Sequence, residues 1–80
     1  MRLDKYLKVS RIIKRRTVAN EFADSGRVLI NGKIAKPSAN VQIGDIITLT
    51  SAGKETRYEV LDVRENIRAN EADQLYRIVN

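Results

Sequence analysis

Apolar residues at the start of the chain recur three and four places apart. Leu3, Tyr6, Leu7 and Ser10 share one side of a 3.6-residue helix, while Lys5 and Lys8 point the other way. Val9 falls among the basic positions, so the pattern predicts a short helix ending near Val9 or Ser10. A second helix is predicted over 18–25, with Thr17 as its N-cap. Val18 and Phe22, with Ala19 and Ala23, form i,i+4 pairs on its buried stripe. Gly26 then follows as the left-handed residue that ends it. Asn20, not Glu, stands where a capping box would place its acid, so that motif is incomplete.

After Gly26 the period changes to two. Residues 27–30 and 33–36 read as paired strands around Asn31-Gly32, a dipeptide whose tolerance of positive φ suits a type I′ hairpin. Pro37 stops the second strand. Residues 41–45 read as a turn feeding a strand over 46–50, 51–54 as a hairpin loop, and 56–63 as the next strand. The polar stretch 64–73 reads as a loop or a single helical turn, and 75–79 as a last short strand. Tyr6 belongs with the core, and Tyr58 and Tyr76 with sheet packing. No internal repeat or low-complexity linker interrupts this order. The expected fold class is α+β, two short N-terminal helices packed on a small antiparallel sheet. Its expected core contains Leu3, Leu7, Phe22, Val28, Ile30, Ile47 and Leu49.

Length and composition bound this picture. Eighty residues are expected to form one domain, burying only about 60% of the unfolded surface or slightly more. No run approaches the ~20 apolar residues of a membrane span, and no apolar leader follows Met1. The expectation is a soluble, cytoplasmic protein without a membrane partner. The chain has no His and no Cys, which removes the commonest general base, thiol nucleophile and soft metal ligands. Its ten acids are scattered without calcium-loop spacing, and no glycine-rich phosphate loop is present. No catalytic residue, metal or cofactor is expected, and the chain does not read as an enzyme.

Charge changes the picture most. Residues 1–36 carry ten Lys or Arg against three acids, net +7, whereas residues 37–80 carry five against seven, net −2. The basic excess lies wholly in the first half, as for a nucleic-acid or anionic-membrane surface. A solvated helix face accounts poorly for seven cations and one acid between Arg2 and Thr17, because such faces balance their charges. Lys14, Arg15 and Arg16 directly precede the second helix, where free amides and the helix dipole add to them. That convergence suits a phosphate group. Membrane insertion calls for a long apolar face, and Leu3 and Leu7 are better used in so small a core. Arg27, Lys33 and Lys36 on the first hairpin extend the positive surface. With four aromatics in all, stacking platforms are scarce, so backbone shape and phosphate spacing are the expected readout.

The segments RLDKYL, KRRT, SGRVLINGK and AKPSANVQIGD, in that order, resemble the small RNA-binding domain first described in the fourth protein of the small ribosomal subunit. The resemblance covers roughly residues 1–50, leaving additional strands at about 55–80. It implies that the helix pair and a short hairpin form the RNA-binding face. It also matches that face to Arg2, Lys5, Lys8, Arg11, Lys14, Arg15, Arg16, Lys33 and Lys36. Among stand-alone members, the opening RLDKYLKVSRIIKRRT and the length are most similar to the RqcP (YabO) family of bacterial ribosome-associated quality control. The family alternative is the heat-shock-induced ribosome-recycling protein. It carries a longer basic C-terminal extension, which is not expected in a chain reading to Asn80. The resemblance implies binding to a large ribosomal subunit obstructed by peptidyl-tRNA, contact with large-subunit rRNA and the tRNA, and support of alanine tailing by RqcH. A monomer is expected. Asp4, the lone acid of the basic run, has three open roles: capping the first helix, orienting Arg2 or Lys8, or accepting a hydrogen bond from RNA. From another class, a protein-interaction module steered by its basic face remains the alternative.

Overall fold

The computed structural model describes residues 1–79. Helix α1 spans Leu3–Val9 and α2 spans Arg16–Asp24. Strands β1 (Val28–Ile30), β2 (Lys33–Ile34), β3 (Ile46–Ser51), β4 (Lys54–Val60) and β5 (Tyr76–Ile78) form one antiparallel sheet in the order β2-β1-β3-β4-β5. A 3-10 helix, Ala69–Leu75, leads into β5, where a loop or a single helical turn was expected over 64–73.

The sequence pieces that stand apart along the chain meet in space. The turn before β3 docks on the N-terminus of α1, where the Leu3 and Asp4 amides donate to the Ala39 and Pro37 carbonyls (2.8 and 3.1 Å). The Met1 amine donates to Asn40 Oδ1 and the Val41 amide to the Met1 carbonyl. Asn31 and Gly32 both have positive φ, 52° and 83°, as a type I′ turn requires. The Asn31 side chain also binds the Gly44-Asp45 turn, donating to Asp45 Oδ1 and accepting from the Ile46 amide (3.1 and 2.9 Å).

One buried cluster joins the layers. Leu3, Tyr6 and Leu7 from α1 meet Ala19 and Ala23 from α2, with Val28, Ile47, Val60 and Leu75 beneath them. Phe22, Ile30 and Leu49, expected in the core, are half-buried at its margin. Val18 is 41% exposed and does not belong to the buried stripe. Alanines occupy that stripe because small side chains let the two helices approach closely. The Tyr6 hydroxyl donates to the Leu75 carbonyl (2.7 Å), tying α1 to the C-terminal segment. Burial, with Tyr76 and Asp62 nearby, raises the pKa of that hydroxyl and keeps it a donor. Tyr58 and Tyr76 pack edge to face across β4 and β5 with centroids 5.3 Å apart.

Both strands flanking the 3-10 helix are shorter than their patterns suggested. The chain leaves β4 after Val60 because the Leu61 and Asp62 amides turn to the Leu75 carbonyl. The β3–β4 loop is a two-residue turn, Ala52-Gly53, with positive φ at both residues.

Candidate nucleic-acid interface

The helix start is the first correction. Thr17 does not cap α2: Arg15 is the N-cap, with extended backbone and no side-chain cap, and Arg16 is the first helical residue. Thr17 lies inside the first turn, two residues after the extended cap residue, Arg15. At its other end α2 closes as expected. The Gly26 amide donates to Ala23 and the Arg27 amide to Phe22, with Gly26 at φ +82°. Arg27 lies over the Phe22 ring, 5.2 Å from its centroid, at the end of α2 opposite Arg16.

Asp4 organises the basic residues. Its carboxylate is nearly inaccessible, the residue being 2% exposed, yet it sits in the most basic part of the chain. Arg2 donates to both its oxygens, Nε to Oδ1 and Nη2 to Oδ2, at 3.2 Å each. Arg16 Nη2 donates to Oδ1 from α2 (3.4 Å), Asn20 Nδ2 to Oδ2 (3.1 Å), and the Lys5 amide to Oδ1 (2.8 Å). Burial pushes the Asp4 carboxyl up, but the donors from Arg2, Asn20 and the Lys5 amide, with the Arg16 charge, outweigh it and hold the pKa below its ordinary value. Of the roles left open for Asp4, the geometry gives it the orientation of Arg2, not Lys8, and adds Arg16. It accepts five hydrogen bonds from four residues, and those from Arg16 and Asn20 stitch α1 to α2.

The two guanidiniums remain half exposed, at 51% and 48% of their side-chain surface. Each spends only part of its fork on Asp4, so donors remain on the outer side. Asp4, Arg16, Thr17, Asn20 and Glu21 line a shallow concavity there, at the N-terminus of α2. Asn20 was missed as a site residue; its i,i+4 spacing from Arg16 was the available clue.

The other basic positions divide around α1. Lys5 is half-buried and pairs with Glu65 (3.0 Å), whose carboxyl that hydrogen bond and charge hold below its usual range. Lys8, Arg11 and Lys14 are exposed on a second concavity, facing residues 65–71 of the acidic half. Arg15 is exposed beside the start of α2, as is Lys33 on β2. Lys36 is exposed next to Pro37, whose carbonyl holds the Asp4 amide. The structure thus brings Arg2, Asp4 and Arg16 into direct contact and sets Arg27 apart from them. Among the described residues, no group of three or more acids lies close enough to hold a metal ion. None of the helices among them is long and apolar enough to cross a membrane.

Three comparisons bear on this arrangement. Residues 1–47 match the model of the S4 domain family. Over 79 residues the chain is 47% identical to the RQC P-site tRNA stabilizing factor of Listeria monocytogenes, covering 99% of this chain and 86% of that protein. It is also 47% identical over 79 residues to the protein of that name from Bacillus subtilis, covering 99% and 92%. The trimeric structure of Vibrio cholerae Heat Shock Protein 15 superposes with a TM-score of 0.89 at 40% identity, covering 99% of this chain and 81% of that one.

Proposed function

This chain belongs to the S4 domain family and, within it, to the RQC P-site tRNA stabilizing factors, and on that premise we propose that it is a non-catalytic RNA-binding protein of ribosome-associated quality control. It binds large ribosomal subunits obstructed by peptidyl-tRNA, contacts large-subunit rRNA and the tRNA, and supports C-terminal alanine tailing by RqcH. It works in the cytoplasm as a monomeric unit over residues 1–80, even though the solved Heat Shock Protein 15 is trimeric. Its RNA face comprises Arg2, Lys5, Lys8, Arg11, Lys14, Arg15, Arg16, Thr17, Arg27, Lys33 and Lys36, with Asp4 positioning the arginines.

One observation carries this reading: two arginine forks held by one buried carboxylate beside the uncapped N-terminus of α2. A guanidinium whose inner edge is pinned presents its outer donors at a fixed angle, which suits an RNA phosphate. The first amides of α2, without a side-chain cap, add donors at the positive end of the helix dipole.

Arg16→Ala tests it. The expected outcome is loss of co-sedimentation with large subunits, while circular dichroism and the melting curve stay close to those of the unaltered protein. Retained co-sedimentation would remove the arginine pair from the interface.

A further inference from the structure

The second concavity, at the C-terminal end of α1, is built differently. It lies between the end of α1 with its following turn and the segment entering the 3-10 helix, and encloses about 580 Å³. Lys8, Arg11 and Lys14 line one wall; Asn66, Ile67 and Arg68 line the other, together with Glu71 and with Glu65, whose carboxylate is paired with Lys5. The four cations are exposed, and none has an ion-pair partner among the described residues. Val9 and Ile67, half-buried against the core, give the cleft an apolar strip between its charged walls. Arg68 comes from the acidic half of the chain, so charge distribution along the sequence did not place it here.

Arg11 is the second observation. It sits directly after the Ser10 C-cap of α1 with φ +61°, a left-handed position where glycine is favoured. Its amide donates to the Lys8 carbonyl (3.0 Å) and the Ile13 amide to the Leu7 carbonyl (3.0 Å), which close the helix and lock the turn. A long cation at a position that strains any non-glycine residue serves the side chain, not the backbone.

We propose that this cleft takes one unpaired nucleotide of the bound RNA. Lys8, Arg11, Lys14 and Arg68 hold its phosphate, and its sugar and base lie against Val9 and Ile67. Paired nucleotides offer phosphates and groove edges, with their base faces hidden in the stack. A cleft that sets an apolar strip among four cations, which outnumber the two carboxylates of its lining, fits a nucleotide whose base has left the helix. The cleft shares Lys8, Arg11 and Lys14 with the RNA face, so one RNA can reach both. The source of the nucleotide rests on the RNA-binding reading above; the cleft, its cations and the Arg11 conformation do not.

The test uses two labelled RNA hairpins, one fully paired and one identical except for a single bulged nucleotide, in fluorescence anisotropy titrations. The unaltered protein is expected to bind the bulged hairpin more tightly. Arg68→Ala should weaken binding to the bulged hairpin by about tenfold, the worth of one charge-assisted contact, and leave the paired hairpin unchanged. Arg11→Gly should lose the bulge preference while raising the melting temperature, which separates lost contact from lost fold. Equal binding of both hairpins, or an intact preference in Arg68→Ala, overturns the nucleotide site alone. Failure to bind either hairpin overturns the RNA-binding reading and this inference with it.

Discussion

Asp4→Asn keeps the shape of the organising side chain and removes its charge. An amide has one oxygen where the carboxylate had two, so one of its positions becomes a donor facing Arg2 and Asn20. That donor is enclosed, because the Asp4 side chain is only 3% exposed, and an unpaired buried donor costs about 1–3 kcal/mol. The lost attraction to Arg2 and Arg16 adds less, about 0.2–1 kcal/mol per pair, since both forks are half in water. The sum is about 1.4–5 kcal/mol, centred near 3 kcal/mol, against a total stability of about 4–12 kcal/mol for 80 residues. Thermal unfolding followed by circular dichroism should show a drop of roughly 10–20 °C at pH 7. The sign with pH follows from the depressed pKa. Asp4 contributes its full stabilisation above the ordinary value of 3.8 and loses it as pH falls through the lower folded value. The gap between the two proteins should therefore hold from neutral pH down to the ordinary value and close below it. RNA binding supplies a second readout, because the variant gains one unit of positive charge. Charge alone predicts tighter binding to rRNA fragments; loss of arginine positioning predicts weaker binding. Tighter binding, or a stability gap independent of pH, would refute the organising role.

Leu7, wholly buried between helices and sheet, should cost about 2–5 kcal/mol on replacement by Ala; an unchanged melting temperature would contradict the packing. Ala52 holds φ +51° in a two-residue turn, so Ala52→Gly should stabilise the protein by about 1 kcal/mol in urea unfolding, despite removing a methyl group. If about five phosphates are neutralised, log K against log salt should slope at roughly −3.5 to −4.5 on purified rRNA fragments. A slope near zero would transfer the binding energy from the RNA backbone to a protein partner.

The fold was legible where short-range chemistry decides. The α1 pattern, the Gly26 stop and the Asn31-Gly32 turn are each written in adjacent residues, and the structure follows them. The α2 stripe was half legible: hydrophobicity ranks Val18 and Phe22 above alanine, but close helix contact selects Ala19 and Ala23. Thr17 was read as a cap from its own preference, while Arg16, drawn to Asp4, begins the helix earlier. The second hairpin was read at 51–54, but not its tight two-residue turn, because Ala52 carries no preference for positive φ; the register of β3 and β4 imposes it. The 3-10 helix was legible only as one of two readings of 64–73, a loop or a single helical turn, since its buried residues, Ala72 and Leu75, are set by contacts with distant parts of the chain.

The site divides along the same line. Clustered charge in residues 1–36 marked the region, because like charges crowded in sequence are crowded in space. Function within that region depends on which cations are aimed, and aiming needs a partner that composition counts as an opposing charge. Asp4 lowers the net charge of the face by one, yet among the described residues it is the acid that holds Arg2 and Arg16 together. Two unheld guanidiniums would repel and sample many rotamers, each losing conformational entropy on binding. Pinning them to one carboxylate during folding removes that cost from the binding step. A lone buried acid in a basic run is therefore better read as the anchor of the cations around it than as their neutraliser. Glu65 shows the contrast: mostly exposed and paired with Lys5, it aims a single flexible ammonium and stabilises little.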